Sequence, residues 1–481
     1  MTDDTGWIMK CDRSRRGFYI LLVLAVIAVS INIPRLFDNN FWSDECFSIN
    51  LLKNDFQDIW WAAAGDTHPP LFYYIGFFVT RIFGFNNVSF HLISLLAMVV
   101  ILVIALTWVR IRFGNAAAAV LMVSSALLST SLMYSVEVRM YEWCAVFVLL
   151  TFMMLYEALD KPILSNLALV VAFGLAAAYT HIYGLIAVAS MYLCVLVGSF
   201  FKRGIGTKNV LLMIVSSLVL YAPWIGAILS AMNRTSDFWI TGNPTVPEIL
   251  EYLFQTDVAI VSVLLSVLAI VLTVLFILRG TGVLPKLTEA LMSEEDNGKT
   301  LWVAICVSSI VLTMVIAAAL SDIIRPYFVL RYIYPICVLA WLLLGIGAGA
   351  VKHGTVVAAA IIAVMLAVCV PYYVDLRGDE RDADAAIADT LDMTSEIGED
   401  DTTYSPMVWV MDYYYPDASN LELNDGALDG MDHSSGQQYW LFLMESISDE
   451  LTNKVESRGF SPEFYYHGNL GSHDTWIYRI V

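Results

Sequence analysis

Apolar residues run in eleven long stretches along the chain, near 18–37, 88–109, 115–134, 142–158, 162–179, 183–201, 209–229, 257–279, 301–320, 331–350 and 354–373. A helix rises about 1.5 Å per residue, so roughly 20 apolar residues cross about 30 Å of hydrocarbon. The pattern therefore predicts a polytopic α-helical membrane protein with about 11 transmembrane helices. One further segment, Pro70–Phe85, is apolar but short, rich in aromatic rings and interrupted by Arg81. Basic residues decide its place. If it lies along the interface, 14 Lys and Arg of the membrane block fall on one side and seven on the other: Arg35, Lys53, Arg81, Arg139, Arg234, Arg325 and Arg331. If it crosses, ten of the 14 change sides, against the positive-inside rule. The segment is read as an interfacial helix, opened by Pro69 and Pro70 and anchored by its aromatic edges.

This orientation places the N-terminus in the cytoplasm and gives the outer face a first loop, 38–87, with interfacial helices. Shorter outer loops follow at 135–141, 180–182 and 321–330, with a medium one at 230–256. Everything after residue 374 is also outside. There the periodicity changes: 381–397 and 447–458 read as helices, the second with Ser448 near its cap, and 406–411, 439–444, 464–467 and 475–481 read as strands. The expected organisation is a membrane-embedded domain, 1–374, and a small extracytoplasmic α/β domain, 375–481.

Composition agrees: 58% of the 481 residues are hydrophobic and 15% charged, which excludes an ordinary soluble enzyme. The net charge of −19 argues against a nucleic-acid partner. Residues 375–481 hold 23 acids and 5 bases, net −18, leaving net −1 on the membrane block. The acidic domain is expected to favour neutral or basic partners, or simply solubility. Seven scattered cysteines without CxxC spacing suit neither a disulfide framework nor a zinc site. Four basic residues precede the first apolar stretch and no small-residue cleavage site follows it, which reads as an uncleaved first membrane helix.

Chemistry concentrates at the outer ends of the spans. Asp44 and Glu45 follow Ser43, a candidate N-cap, in the first turn of a short helix whose dipole favours ionised carboxylates. An ionised carboxylate can act as a general base; a plain capped helix start is the alternative. Asp66-Thr67-His68-Pro69-Pro70 sets His68 on extended backbone, as a turn residue or a catalytic one. Glu137, Arg139, Tyr141 and Glu142 sit where a span emerges, with Arg139 either paired to Glu137 or Glu142 or serving an anion. Arg325, Arg331 and Tyr332 lie near the start of the tenth span, as snorkelling anchors or as planar forks for phosphate. His181 and Tyr183 read as a helix-end pair.

The order Trp42-Ser43-Asp44-Glu45, Asp66-Thr67-His68-Pro69-Pro70, Glu137-Val138-Arg139-Met140-Tyr141 and Arg331-Tyr332-Ile333-Tyr334-Pro335 resembles the protein O-mannosyltransferase and aminoarabinose transferase superfamily. The likeness covers 18–373 and is most specific over the first 145 residues. It implies a C-type glycosyltransferase fold, a polyprenyl-phosphate sugar donor, and inverting transfer to a lipid, glycan or protein acceptor on the outer face of the cell membrane. By matching position, Asp44 would be the general base and Glu45 its support. Asp66 and His68 would shape the same pocket, and Arg139 and Arg331 would hold the leaving phosphate. His91 stands where many relatives carry an arginine in a Phe-x-x-Arg-Leu-Pro pattern, so it contacts the donor or the acidic pair only as an imidazolium or a neutral donor. Metal-dependent relatives carry a DxD-like pair where this chain has Glu137-Val138-Arg139, which argues against a divalent cation; no cofactor is called for. The competing readings are a secondary transporter or lipid flippase, whose ionisable groups lie at the bilayer midplane, and a membrane-anchored binding protein that works through its acidic tail.

Overall fold

The computed structural model describes residues 4–66, 68–234, 242–293, 299–324, 327–424, 426–432 and 437–481. They pack as two compact units. The first comprises Met1–Pro34, Trp60–Gly76 and His91–Tyr373, and the second Arg35–Ile59, Phe77–Phe90 and Val374–Val481.

The first unit is helical. Among the described residues of the chain, nine helices are long and apolar enough to cross a membrane. The stretches read separately at 88–109 and 115–134 lie on either side of Gly114, whose non-helical backbone (φ +93°) divides the run Asn87–Leu127 into two helical segments. Only glycine adopts that backbone without cost, so the break is encoded in one residue. The stretch at 162–179 forms the shorter helix Leu164–Thr180. The helix Tyr334–Ala350 is buried all round except near Gly349, which explains its uniformly apolar sequence. Gly345 lets it close on the helix Arg110–Leu127: a Cβ there would lie 2.7 Å from the Ala117 carbonyl oxygen. Gly345→Val is expected to cost about 1–3 kcal/mol through overpacking against backbone, read as a lower midpoint of thermal unfolding in detergent.

The second unit is a five-stranded sheet with flanking helices. Its strands are β1 (Thr402–Ser405), β2 (Ser419–Glu422), β3 (Tyr439–Leu443), β4 (Pro462–Leu470) and β5 (His473–Ile480), in the order β2-β1-β3-β5-β4. β1 pairs in parallel with β2 and β3, while β5 is antiparallel to β3 and β4. Tyr404, Tyr439, Leu441, Val455 and Tyr478 build the core on one face. The helix Asp449–Glu456 is capped by Ser448, whose hydroxyl accepts from the Leu451 N–H at 3.2 Å, as the sequence predicts. The strand expected at 406–411 is instead the helix Val408–Tyr414, flanked by β1 and β2. The helix expected over 381–397 is the end of one long helix, Gly354–Met393.

Residues of the first loop belong to this unit. Arg35 donates to Glu380 at 2.7 Å and 2.9 Å, and Arg377 pairs with both Asp38 and Glu380. Arg35, Asp38 and Arg377 are buried, so each charge needs its partners, and the pairing ties the start of the loop to the long helix. The Asn39 N–H adds a bond to Asp384 at 2.7 Å.

Candidate active site

In the first unit, His68 and Asp66 form a dyad, Nδ1 to Oδ2 at 3.0 Å. Nδ1 therefore carries a proton, and Pro69 and Pro70 fix the backbone that aims the ring. Tyr73, buried on the helix Leu71–Phe83, donates its hydroxyl to the same Asp66 oxygen at 3.1 Å. The His68 ring lies 5.7 Å from that of His181, which is 1% exposed and surrounded by Tyr332 at 5.0 Å, Tyr141 at 5.7 Å and Tyr183 at 5.8 Å.

His181 serves both the helix and the cluster. Its Nδ1 accepts from the Tyr183 N–H at 3.2 Å, capping the helix Ile182–Phe200 as the sequence suggests. Burial first, then the charges of His68, Arg139 and Arg331, push its pKa well below the usual histidine value. With Nδ1 accepting, the neutral ring keeps its proton on Nε2. The guanidinium of Arg331 lies 5.5 Å over the Tyr332 ring, and Arg139 is 4% exposed. The Tyr141 and Tyr183 hydroxyls are buried without a partner among the described residues. The Tyr141 hydroxyl lies within electrostatic reach of Arg139 and Arg331, and an unsatisfied donor beside two cations marks a place for an oxyanion or a polyhydroxy ligand.

The other predicted residues divide. His91 is buried and its Nδ1 donates to the Val136 carbonyl at 2.8 Å, while Ser94 donates to the Glu137 carbonyl. Both bonds brace the turn that presents Glu137 and Arg139. Glu142 accepts from the Tyr334 hydroxyl, the one partner of its carboxylate among the described residues, and thus does not pair with Arg139. Arg325 lies outside the described residues. The sequence reading missed Tyr334 and gave no ligand role to His181 or Tyr183; their signal was a polar residue in a two- or three-residue turn between apolar stretches.

In the second unit, Asp44 and Glu45 occupy the first turn of the helix Ser43–Leu51. The cap position belongs to Trp42, whose N–H donates to the Glu45 carboxylate at 3.2 Å. Ser43, read as the cap, accepts instead from Trp409 Nε1 at 2.8 Å. Glu45 is thus buried as a helix-start acceptor, while Asp44 remains half-exposed. Among the described residues, no group of three His, Cys, Asp or Glu side chains is placed to share a metal ion.

Comparison with known proteins bears out the resemblance read from the motifs. Residues 67–226 match the family described as dolichyl-phosphate-mannose-protein mannosyltransferase. The fold is that of ArnT from Cupriavidus metallidurans: the apo crystal structure superposes with a TM-score of 0.64 at 12% identity, covering 99% of this chain and 98% of that one. A second ArnT structure, bound to undecaprenyl phosphate, gives a TM-score of 0.58 at 13% identity with the same coverage. No curated protein matches the chain by sequence.

Proposed function

We propose that this chain is an inverting glycosyltransferase that moves a sugar from a polyprenyl-phosphate donor to an acceptor at the outer face of the cell membrane. The family match over 67–226 carries the reading, because that stretch contains His68, His91, Glu137, Arg139, Tyr141 and His181. The ArnT relative that holds undecaprenyl phosphate supports the donor class. Mannose is the first sugar to test, with pentosyl donors second; lipid, glycan and protein acceptors all fit.

Asp44 accepts the proton of the attacking acceptor group. The acceptor atom bonds to C1 of the sugar from the face opposite the phosphate, the C1–O bond breaks, and its electron pair stays on the phosphate. That phosphate gains a negative charge, which Arg139 and Arg331 stabilise. His181, neutral, adds an Nε2–H donor without a further charge. Glu45 fixes the helix that carries Asp44, and Asp66 orients His68.

The test is transfer by the purified full-length protein, with undecaprenyl-phosphate mannose and undecaprenyl-phosphate aminoarabinose as donors and a membrane extract as acceptor. Undecaprenyl phosphate should accumulate in step with glycosylated acceptor, with inversion at C1 by NMR. Gradient-driven uptake into proteoliposomes without cleavage of the phosphate bond would establish the transporter reading instead.

A further inference from the structure

The helix Ser43–Leu51 is too short to hold itself in place, since isolated helices under about 12 residues are marginal in water. In the second unit its neighbour is the helix Val408–Tyr414 of the C-terminal domain. Trp409 Nε1 donates to Ser43 Oγ at 2.8 Å, and its ring meets Phe47 edge-on at 6.2 Å. The Trp409 carbonyl accepts from Asn50 at 2.7 Å, and the Asp412 carbonyl accepts from Lys53 at 3.0 Å. Tyr414 donates to the carbonyls of Asn39 and Phe41 at 3.0 and 3.2 Å, and Tyr413 packs on Phe41 at 5.3 Å. From the far side of the sheet connection, the Gly471 carbonyl accepts from the Ser43 N–H at 3.0 Å. Bonds therefore reach the helix at its first turn and its last, and the residue directly after the doubly bonded Ser43 is Asp44.

We propose that Trp409 is a positioning residue for Asp44, and that the C-terminal domain is the template that sets where the proton acceptor stands. The inference rests on Asp44 as the proton acceptor. A base must sit within hydrogen-bond reach of the proton it takes, and a misplacement of about 1 Å can cost roughly 10²-fold in rate. Removing one bond at the first turn tilts the helix by less than that, so the loss is smaller than for removing the carboxylate itself.

The experiment uses the full-length protein with undecaprenyl-phosphate mannose as donor and undecaprenyl phosphate as the binding probe. Trp409→Phe keeps the ring against Phe47 and removes the donor; Ser43→Ala removes the acceptor from the other side and guards against a folding defect in the first variant. Each should lower kcat about tenfold, below the roughly 10²-fold ceiling for misplacement. The double variant should be no worse than the single ones, because both break one bond. Undecaprenyl phosphate affinity should stay unchanged, and hydrogen exchange should rise across 43–51 and not across the membrane helices. Wild-type kcat and unchanged exchange in both variants would overturn the proposal, as would a loss of undecaprenyl phosphate affinity in step with kcat. Asp44→Asn run alongside separates the two readings: if it stays active, the assignment of Asp44 fails, whereas an inactive Asp44→Asn beside unimpaired Trp409→Phe and Ser43→Ala overturns only the positioning.

Discussion

Asp44→Asn should lower kcat for sugar transfer by roughly 10²- to 10⁴-fold, the usual contribution of a positioned general base. The substitution keeps shape and hydrogen-bonding capacity but removes the basic oxygen. Asp44 sits in the first turn of Ser43–Leu51, where an amide is tolerated as well as a carboxylate, so the fold should survive. The KM for the donor should hardly move, because in the proposed step the interaction lost is made with the acceptor's proton in the transition state. Glu45→Gln gives the contrast. Its carboxylate accepts the Trp42 N–H, a bond the amide oxygen can also accept, so the loss should be far smaller. Steady-state kinetics with one donor and both variants checks the pair; equal losses would move the base away from Asp44.

Arg331→Gln and Arg139→Gln should each cost roughly 10²- to 10³-fold in kcat, the scale seen when a donor to developing negative charge is removed. Arg139 is buried and Arg331 partly buried, and both act on the buried His181. In the proposed reaction, low local dielectric strengthens their interaction with a phosphate that becomes more negative as the C1–O bond breaks. Undecaprenyl phosphate, the leaving group in the proposed reaction, should lose more affinity than the sugar-bearing donor, whose diester carries less charge. Lysine at 331 should recover part of the rate but not all, since an ammonium keeps the charge without the planar fork that lies over Tyr332. Unchanged kcat in both Gln variants would remove the arginines from the leaving-group site.

The spans were legible because twenty consecutive apolar residues have few other uses, and the motif order carried the family resemblance. What escaped was decided by tertiary neighbours. Val408-Trp409-Val410-Met411 looks like a strand by its β-formers, yet it folds as a helix because Val410 and Met411 are buried while Trp409 and Tyr413 meet Phe47 and Phe41. β2, Ser-Asn-Leu-Glu, is polar and short, and only its pairing with β1 makes it a strand. The cluster around His181 was hidden for a different reason: its tyrosines come from three separate segments, and each alone resembles an aromatic anchor at a membrane boundary.

Trp409 follows Ser43 by 366 residues in the chain. At about 5–20 residues per second, a nascent chain carries Asp44 for roughly 20 to 70 s before its template exists. During that interval the acidic helix has no surface to dock on. Sugar transfer should therefore begin only with the finished chain, and a product arrested anywhere short of the last strands, however well its membrane helices are inserted, should be silent.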